Sequence, residues 1–175
     1  MGRQGHPSFA VNGDVVSASA NGYTEGHTRS NKAERIGVRI RPNGAYGGMG
    51  SEDNPEMFTY LLEKLGRSPV GYVAILDGQE WGATGKCRLM TVFNVKQAYK
   101  GTVLATACYT RDIAEGAIRS GAADFVGLGR MYMSNPDLVE RFLNDWPLNP
   151  KLDRKYWWDA SMGTEGYTSF SAYMS

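Results

Sequence analysis

A glycine followed directly by an arginine ends an apolar segment in the stretch DFVGLGRMYMSNPDL, which begins at Asp124. Gly129 has no side chain, so a ligand could approach its backbone closely. The N–H groups of Gly129 and Arg130 could point at phosphate oxygens, and the guanidinium adds a charge-assisted contact that its planar fork can make bidentate. The pair therefore favours a phosphate-binding site. The alternative is that Gly129 only makes a turn and Arg130 extends into solvent.

A second segment suited to the same chemistry precedes this one. Ala107, the last residue of the apolar run TVLATA, is followed by Cys108 and Tyr109, where a buried strand would end. The loops that follow neighbouring parallel strands meet at the carboxyl edge of a sheet, where α/β proteins bind ligands. We expect Ala107 and Cys108 to face the same phosphate with backbone N–H donors.

The elements that must position these groups alternate between strand and helix. Apolar runs punctuated by Gly, Pro and Asn predict strands over residues 35–40, 70–76, 102–107 and 123–129, and helices over 54–66, 91–101, 110–121 and 135–145. Asn54, Thr110 and Asn135 are the predicted helix N-caps. Strands that are apolar throughout predict parallel strands covered by helices, and we expect the strand that carries Arg39 to be buried on both faces.

The alternation predicts an α/β fold, specifically part of a (β/α)₈ barrel. No Gly-x-Gly-x-x-Gly joins a strand to a helix, which disfavours a dinucleotide-binding sheet. A complete barrel needs about 250 residues, so we expect roughly four β/α units in one partial-barrel domain over residues 1–175. Within it, 1–34 is irregular, 35–145 holds the β/α units, and 146–175 is an aromatic tail.

Composition excludes several classes of function. The formal net charge of +1 does not suggest a nucleic-acid partner. No apolar run is long enough to span a bilayer, and the first residues lack the apolar stretch of a secretory signal, so we expect a cytoplasmic protein. His6, His27, Cys87 and Cys108 are too scattered to predict a metal site.

Four stretches resemble the old yellow enzyme family of FMN-dependent barrel oxidoreductases, and they occur in family order. They are GRQGHPSFAVNGDVVSASA from Gly2, RIGVRIRPNGAYGGM from Arg35, GLGRMYMSNPDLVERF from Gly127 and DRKYWWDASMGTEGYTSF from Asp153. They look like the loop leaving the third strand, the fifth strand with its exit loop, the end of the barrel, and the tail beside the flavin. Within the family the chain looks closest to members described as NADPH dehydrogenases or prostaglandin F synthases.

The resemblance implies cofactor-binding roles. Arg39 would lie beside the flavin N1–C2=O edge and stabilise negative charge there. Gly129 and Arg130 would hold the FMN phosphate, together with the backbone of Ala107 and Cys108, although the family usually has glycine at this point. Trp158 would lie over the active site, and ordinary packing is the alternative.

The resemblance also implies that catalytic parts are missing, as in a truncated or internally deleted form. In the family the fourth strand carries the substrate-oxygen clamp and a proton-donating tyrosine. Here ANGY places Asn21 and Tyr23 in the matching order, without an apolar strand before them. They are the candidate catalytic residues, and a loop without catalytic role is the alternative.

Three functions remain open from the sequence. The first is an FMN oxidoreductase passing hydride from NADPH to an activated alkene or quinone-like small molecule. The second is an inactive remnant that binds FMN or phosphate weakly, or serves only in assembly. The third is a phosphate-binding half barrel unrelated to flavin. Four strands would leave two open sheet edges, which predicts self-association.

Overall fold

The computed structural model describes residues 8–11, 14–17, 35–77, 85–166 and 169–174. The chain divides into two compact units, Met1–Gly127 and Leu128–Ser175. The expectation that all 175 residues form one partial-barrel domain stays a prediction.

The first unit carries a four-stranded parallel sheet. Strands that are neighbours in the chain are neighbours in this sheet. The strands are β3 (Gly37–Ile40), β4 (Tyr72–Leu76), β5 (Val103–Thr106) and β6 (Phe125–Gly127). The connecting helices are α1 (Asn54–Leu65), α2 (Val92–Tyr99) and α3 (Arg111–Arg119). Strands β1 (Ser8–Val11) and β2 (Asp14–Ser17) form a separate antiparallel hairpin. The parallel α/β architecture predicted from the sequence is confirmed.

Local side-chain chemistry explains where the helices begin. Thr91 accepts a hydrogen bond from the backbone of Asn94, whose side chain accepts one in return from the backbone of Thr91, and this capping box starts α2. Thr110 caps α3 by accepting a hydrogen bond from Ile113, as predicted. The predicted cap Asn54 is wrong, because Asp53 is the N-cap of α1. Asn54 instead donates from Nδ2 to the carbonyl of Pro42 at 2.9 Å, which ties the start of α1 to the loop after β3.

The two faces of the parallel sheet differ in burial. One face packs with α1 and α2 in a single apolar core; its strand residues are Val38, Ile40, Val73, Ile75, Val103 and Ala105. The opposite face carries the register-paired row Arg39, Ala74, Leu104 and Phe125. Arg39 is exposed and Phe125 is 61% exposed, although Ala74 is buried. The expectation that the strand carrying Arg39 is buried on both faces is therefore wrong, because side chains alternate between faces and the described helices of the core cover one of them.

In its described residues, the second unit contains three short α-helices, a 3₁₀ turn (Ala160–Met162) and the aromatic tail. The helices are α4 (Gly129–Ser134), α5 (Leu138–Leu143) and α6 (Lys155–Trp158). The single helix predicted over 135–145 is wrong at its start, because Asn135 ends α4 and Asp137 precedes α5. Pro136 explains this break, since it disfavours the helical conformation at Asn135, whose backbone is extended at φ −132° and ψ 88°.

Arg141 holds the tail against α5. Its guanidinium is buried and donates to Asp137 Oδ1 at 2.6 Å, to the carbonyl of Pro147 and to that of Ser171. Asp137 in turn accepts from the backbone N–H of Tyr173 at 2.7 Å through Oδ2. One buried cation thus connects a helix with the segment that follows it and with the tail 30 residues away in the sequence.

Candidate functional site

Arg39 lies near the carboxyl end of β3 with its side chain on the exposed face of the sheet. It pairs in register with Ala74 of β4, which has too small a side chain to cover it. Within the described part of the chain, no hydrogen bond or ion pair engages its guanidinium. A permanent cation without a counter-charge on an open sheet face is available to bind an anionic or electron-rich group.

Ala107 and Cys108 follow β5 directly and have unusual backbone conformations. Their φ values are 80° and 58°, in the left-handed region that side chains other than glycine disfavour. The strand end before them is anchored, because Thr106 Oγ1 donates to the carbonyl of Ile75 at 2.8 Å. The departure from the glycine usual in the family is thus accompanied by backbone strain at two successive residues of the predicted phosphate loop.

Asp77 and Tyr109 form a polar pair at the same carboxyl edge, which the sequence analysis missed. The Tyr109 hydroxyl donates to Asp77 Oδ2 at 2.9 Å. Burial raises the pKa of Asp77, while the hydrogen bond from Tyr109 acts in the opposite direction. Burial and the Asp77 charge raise the pKa of Tyr109. The sequence pattern that could have indicated this pair is that a polar side chain lies in the segment after each of the neighbouring strands β4 and β5.

Asn43 organises the loops around this edge and was also missed. Its Nδ2 donates to the carbonyl of Met90 at 2.7 Å, and its Oδ1 accepts from the N–H of Met90 at 2.8 Å. A longer contact of 3.4 Å reaches the carbonyl of Asp77. This buried amide joins the loop after β3 to both ends of the connection between β4 and α2, and it orders the backbone around the ends of β3 and β4.

Arg41, one residue beyond β3, has guanidinium nitrogens that are buried in the same region without a hydrogen-bond partner in the described ranges. These nitrogens are Nε and Nη2. The absence of a side chain at Gly44 makes this arrangement possible, since a Cβ there would lie 2.9 Å from Cδ and Nε of Arg41. Burying guanidinium nitrogens without hydrogen-bond partners is costly, so we expect Arg41 to weaken the fold.

Gly129 and Arg130 begin α4 in the second unit, whereas the strand predicted over 123–129 extended to Gly129. A Cβ at Gly129 would meet nothing within 4 Å, so the space beside its backbone is open. The Arg130 guanidinium carbon lies 5.2 Å from the centroid of the Trp157 ring, in a cation–π contact. Arg130 therefore does not simply extend into solvent.

The remaining predicted site residues are placed only in part. Trp158 is the last residue of α6. Asn21 and Tyr23, the candidate catalytic pair, lie outside the described residues. Among the residues that the structure describes, no group of three or more His, Cys, Asp and Glu side chains could hold a metal ion. Every helix in those ranges is too short or too polar to cross a membrane.

A family model for the NADH:flavin oxidoreductase / NADH oxidase family matches residues 28–149, well over half of the chain. The chain belongs to this family. 12-Oxophytodienoate reductase 2 of Arabidopsis thaliana is 30% identical over 139 residues, which cover 78% of this chain and 36% of the plant protein.

Solved structures of the old yellow enzyme family extend this relationship to the fold. The old yellow enzyme of Trypanosoma cruzi matches with a TM-score of 0.69 and 28% identity, over 81% of this chain and 36% of its own. Morphinone reductase in complex with tetrahydroNAD matches with a TM-score of 0.68 and 26% identity, over 82% and 37%. The chain is thus an old yellow enzyme family member that covers part of a TIM barrel, and it spans little more than a third of the length of these relatives.

Proposed function

We propose that this chain binds FMN and acts in NADPH-dependent reduction of an electrophilic small molecule, such as an activated alkene or a quinone. Bound FMN supplies hydride transfer between the reduced nicotinamide and such an acceptor. The observation that carries the proposal is the exposed Arg39 guanidinium, which has no partner in the described part of the chain. A fixed cation of this kind suits the flavin edge that gains negative charge on reduction.

The proposed phosphate contacts are supported by the backbone around them. The space beside Gly129 is open, which suits close approach by a phosphate. Arg130 would donate charge-assisted hydrogen bonds to that phosphate. Ala107 and Cys108 would contribute backbone N–H groups, since successive residues away from ordinary helical and strand conformations can form an anion-binding concavity.

The acceptor would need an oxygen clamp and a proton donor. We assign these roles to Asn21 and Tyr23, with Trp158 near the acceptor, on the family resemblance alone. Proton donation by a positioned side chain is worth about 10²–10⁴-fold in rate. No apolar strand precedes Asn21 and Tyr23 to position them, so we expect little or no enone reduction by this chain, and slow NADPH oxidation by dissolved oxygen. Cytoplasmic location is part of the same proposal.

The second candidate is an inactive member that binds FMN or phosphate, or functions in assembly. The observation that favours it is coverage, because the chain spans about a third of the length of its relatives. The left-handed Ala107 and Cys108 also strain the loop proposed to face the phosphate. This candidate predicts flavin binding without turnover.

Titration of FMN into the purified chain, followed by visible absorption, tests cofactor binding first. We expect Arg130→Ala to weaken FMN binding about ten-fold or more, since a charge-assisted hydrogen bond contributes about 1.5–3 kcal/mol. Arg39→Ala should bind more tightly than Arg130→Ala and should lower the reduction potential of the bound flavin. The matched control is Arg119→Ala, which removes an exposed arginine from α3. Equal FMN affinities for wild type and Arg130→Ala would contradict the phosphate assignment.

NADPH consumption with and without an enone separates the two candidates. A rate that increases on adding enone, and decreases in Tyr23→Phe, supports the reductase with Tyr23 as the proton donor. A chain that holds FMN and consumes NADPH at the same slow rate in both samples supports the inactive member.

A further inference from the structure

Trp157 of α6 contacts two arginines, and one of them is the proposed phosphate ligand. The Arg130 guanidinium carbon lies 5.2 Å from the centroid of the indole ring. The guanidinium carbon of Arg154 lies 5.7 Å from the same centroid. Both distances fall within the range of about 6 Å over which an aromatic ring attracts a cation.

The contact joins two short helices of the second unit and fixes one long side chain. Arg130 lies in the first turn of α4, and Trp157 lies in α6, more than twenty residues later. Both side chains are half-buried, so water weakens their attraction less than at an exposed site. An unrestrained arginine would lose rotamer entropy on binding a ligand, and a side chain that is already held loses less.

Tryptophan is suited to this task because of how it attracts a cation. The electron-rich face of the indole acts on the positive charge as a whole and needs no hydrogen-bond acceptor. An acidic residue at this position would hold Arg130 equally well, but it would also cancel the charge that attracts a phosphate. The ring restrains the arginine and leaves its net charge unchanged.

We propose that Trp157 is a positioning residue, which orients Arg130 toward the phosphate of FMN. This inference rests on the proposed function of Arg130. Trp157 does not itself touch the phosphate in this proposal, so its whole effect passes through the arginine. Its role should therefore disappear when either the phosphate or the arginine is removed.

Riboflavin provides the test, since it is FMN without the phosphate. The dissociation constants of FMN and riboflavin are measured for the full-length wild type, Trp157→Phe and Trp157→Leu, and their ratio reports the phosphate contact. We expect Trp157→Leu to reduce the preference for FMN about three- to ten-fold, in line with a cation–π contact at a half-buried site. Trp157→Phe, which keeps a ring, should reduce it about two-fold. Riboflavin affinity should change little in both.

A double-mutant cycle and a matched tryptophan separate positioning from general loss of packing. In an Arg130→Ala background, Trp157→Leu should leave the FMN-to-riboflavin ratio unchanged. Trp146→Leu removes a tryptophan that stacks on Tyr173 at 4.7 Å, and it should also leave the ratio unchanged. Additive losses in the double mutant, or an equal loss in Trp146→Leu, would overturn the inference.

The possible failures are distinguishable. If the wild-type chain prefers FMN and Trp157→Leu keeps the full preference, the proposed role of Trp157 is wrong. The phosphate role of Arg130 then still stands. A wild-type chain that binds FMN and riboflavin equally removes the phosphate role of Arg130 and this inference together. A wild-type chain that binds neither flavin contradicts the proposed function as a whole.

Discussion

Tyr109 and Asp77 are joined by a 2.9 Å hydrogen bond, which connects the loop after β5 to the end of β4. Thirty-two residues separate them in the sequence, and only the parallel pairing of β4 with β5 brings them together. Burial raises the pKa of the Asp77 carboxyl, so the pair links the stability of this edge to pH.

We predict that Asp77→Asn changes how stability depends on pH. With its pKa raised, folded Asp77 holds its proton more tightly than the unfolded chain does, so the free energy of unfolding decreases as pH rises from about the ordinary value of 3.8 through the folded pKa. The amide oxygen of the substituted side chain would still accept a hydrogen bond from Tyr109. Because the amide does not titrate, the substitution would remove the decrease in the free energy of unfolding that titration of Asp77 causes. Urea unfolding from pH 4 to 8 measures it, with the exposed Glu63→Gln as control. Identical pH profiles for wild type and Asp77→Asn would contradict the raised pKa.

We predict that glycine at either strained position after β5 stabilises the fold. Ala107 and Cys108 have positive φ values, and glycine adopts this conformation without the clash of a Cβ. Ala107→Gly and Cys108→Gly should each raise the free energy of unfolding by about 1 kcal/mol. Ala114→Gly in the middle of α3 is the control and should lower it by a similar amount. Destabilisation by both loop glycines would show that the side chains contribute more than the strain costs.

We predict that Arg41→Leu stabilises the chain. The arginine buries Nε and Nη2 without partners in the described ranges, and leucine avoids this desolvation while filling much of the same space. The expected gain is about 1–3 kcal/mol in urea unfolding. Arg67→Leu, at an exposed position, should change stability by less than about 0.5 kcal/mol. A clear loss of stability in Arg41→Leu would reveal a favourable partner for the guanidinium.

We predict that Arg141→Leu destabilises the second unit by about 3 kcal/mol or more, since it leaves the Asp137 carboxylate without its cation. Hydrogen exchange at the Tyr173 N–H, which donates to Asp137, should become much faster. The exposed Arg119→Leu removes an arginine from an i,i+4 ion pair and should cost less than about 0.5 kcal/mol. Similar losses of stability in Arg141→Leu and Arg119→Leu would mean that burial of the Arg141 ion pair does not increase its contribution to the free energy of unfolding.

We predict that the chain self-associates through its open sheet. β3 and β6 are the outer strands of the four-stranded order, and Phe125 of β6 is 61% exposed. Unpaired edge strands beside an exposed aromatic ring favour pairing between copies. Sedimentation velocity should show an increase in mean mass with concentration, and Phe125→Lys should weaken it. A single monomeric species at all concentrations, with cooperative thermal unfolding, would contradict this prediction.

The sequence alone determined the order and type of the elements in the parallel sheet. Apolar runs, Thr110 as a cap and Gly66 as a stop act within one or two turns of chain, so their effects are readable without tertiary structure. The family resemblance likewise depended on short motifs, and the family match confirms it. Asn135 was predicted as the N-cap of a helix, but it ends α4 instead. An asparagine before a proline is typical of a helix start, so the sequence pattern did not distinguish the two positions.

Only the tertiary structure decided which side chains meet and which are left without partners. The bond between Tyr109 and Asp77 depends on strand register, and the contact of Arg130 with Trp157 depends on how α4 and α6 pack. The burial of Arg41 beside Gly44 depends on one turn after β3. Periodicity assigns a residue to a face of an element, but it carries no information about the partner opposite, because that partner is set by packing between segments distant in the chain.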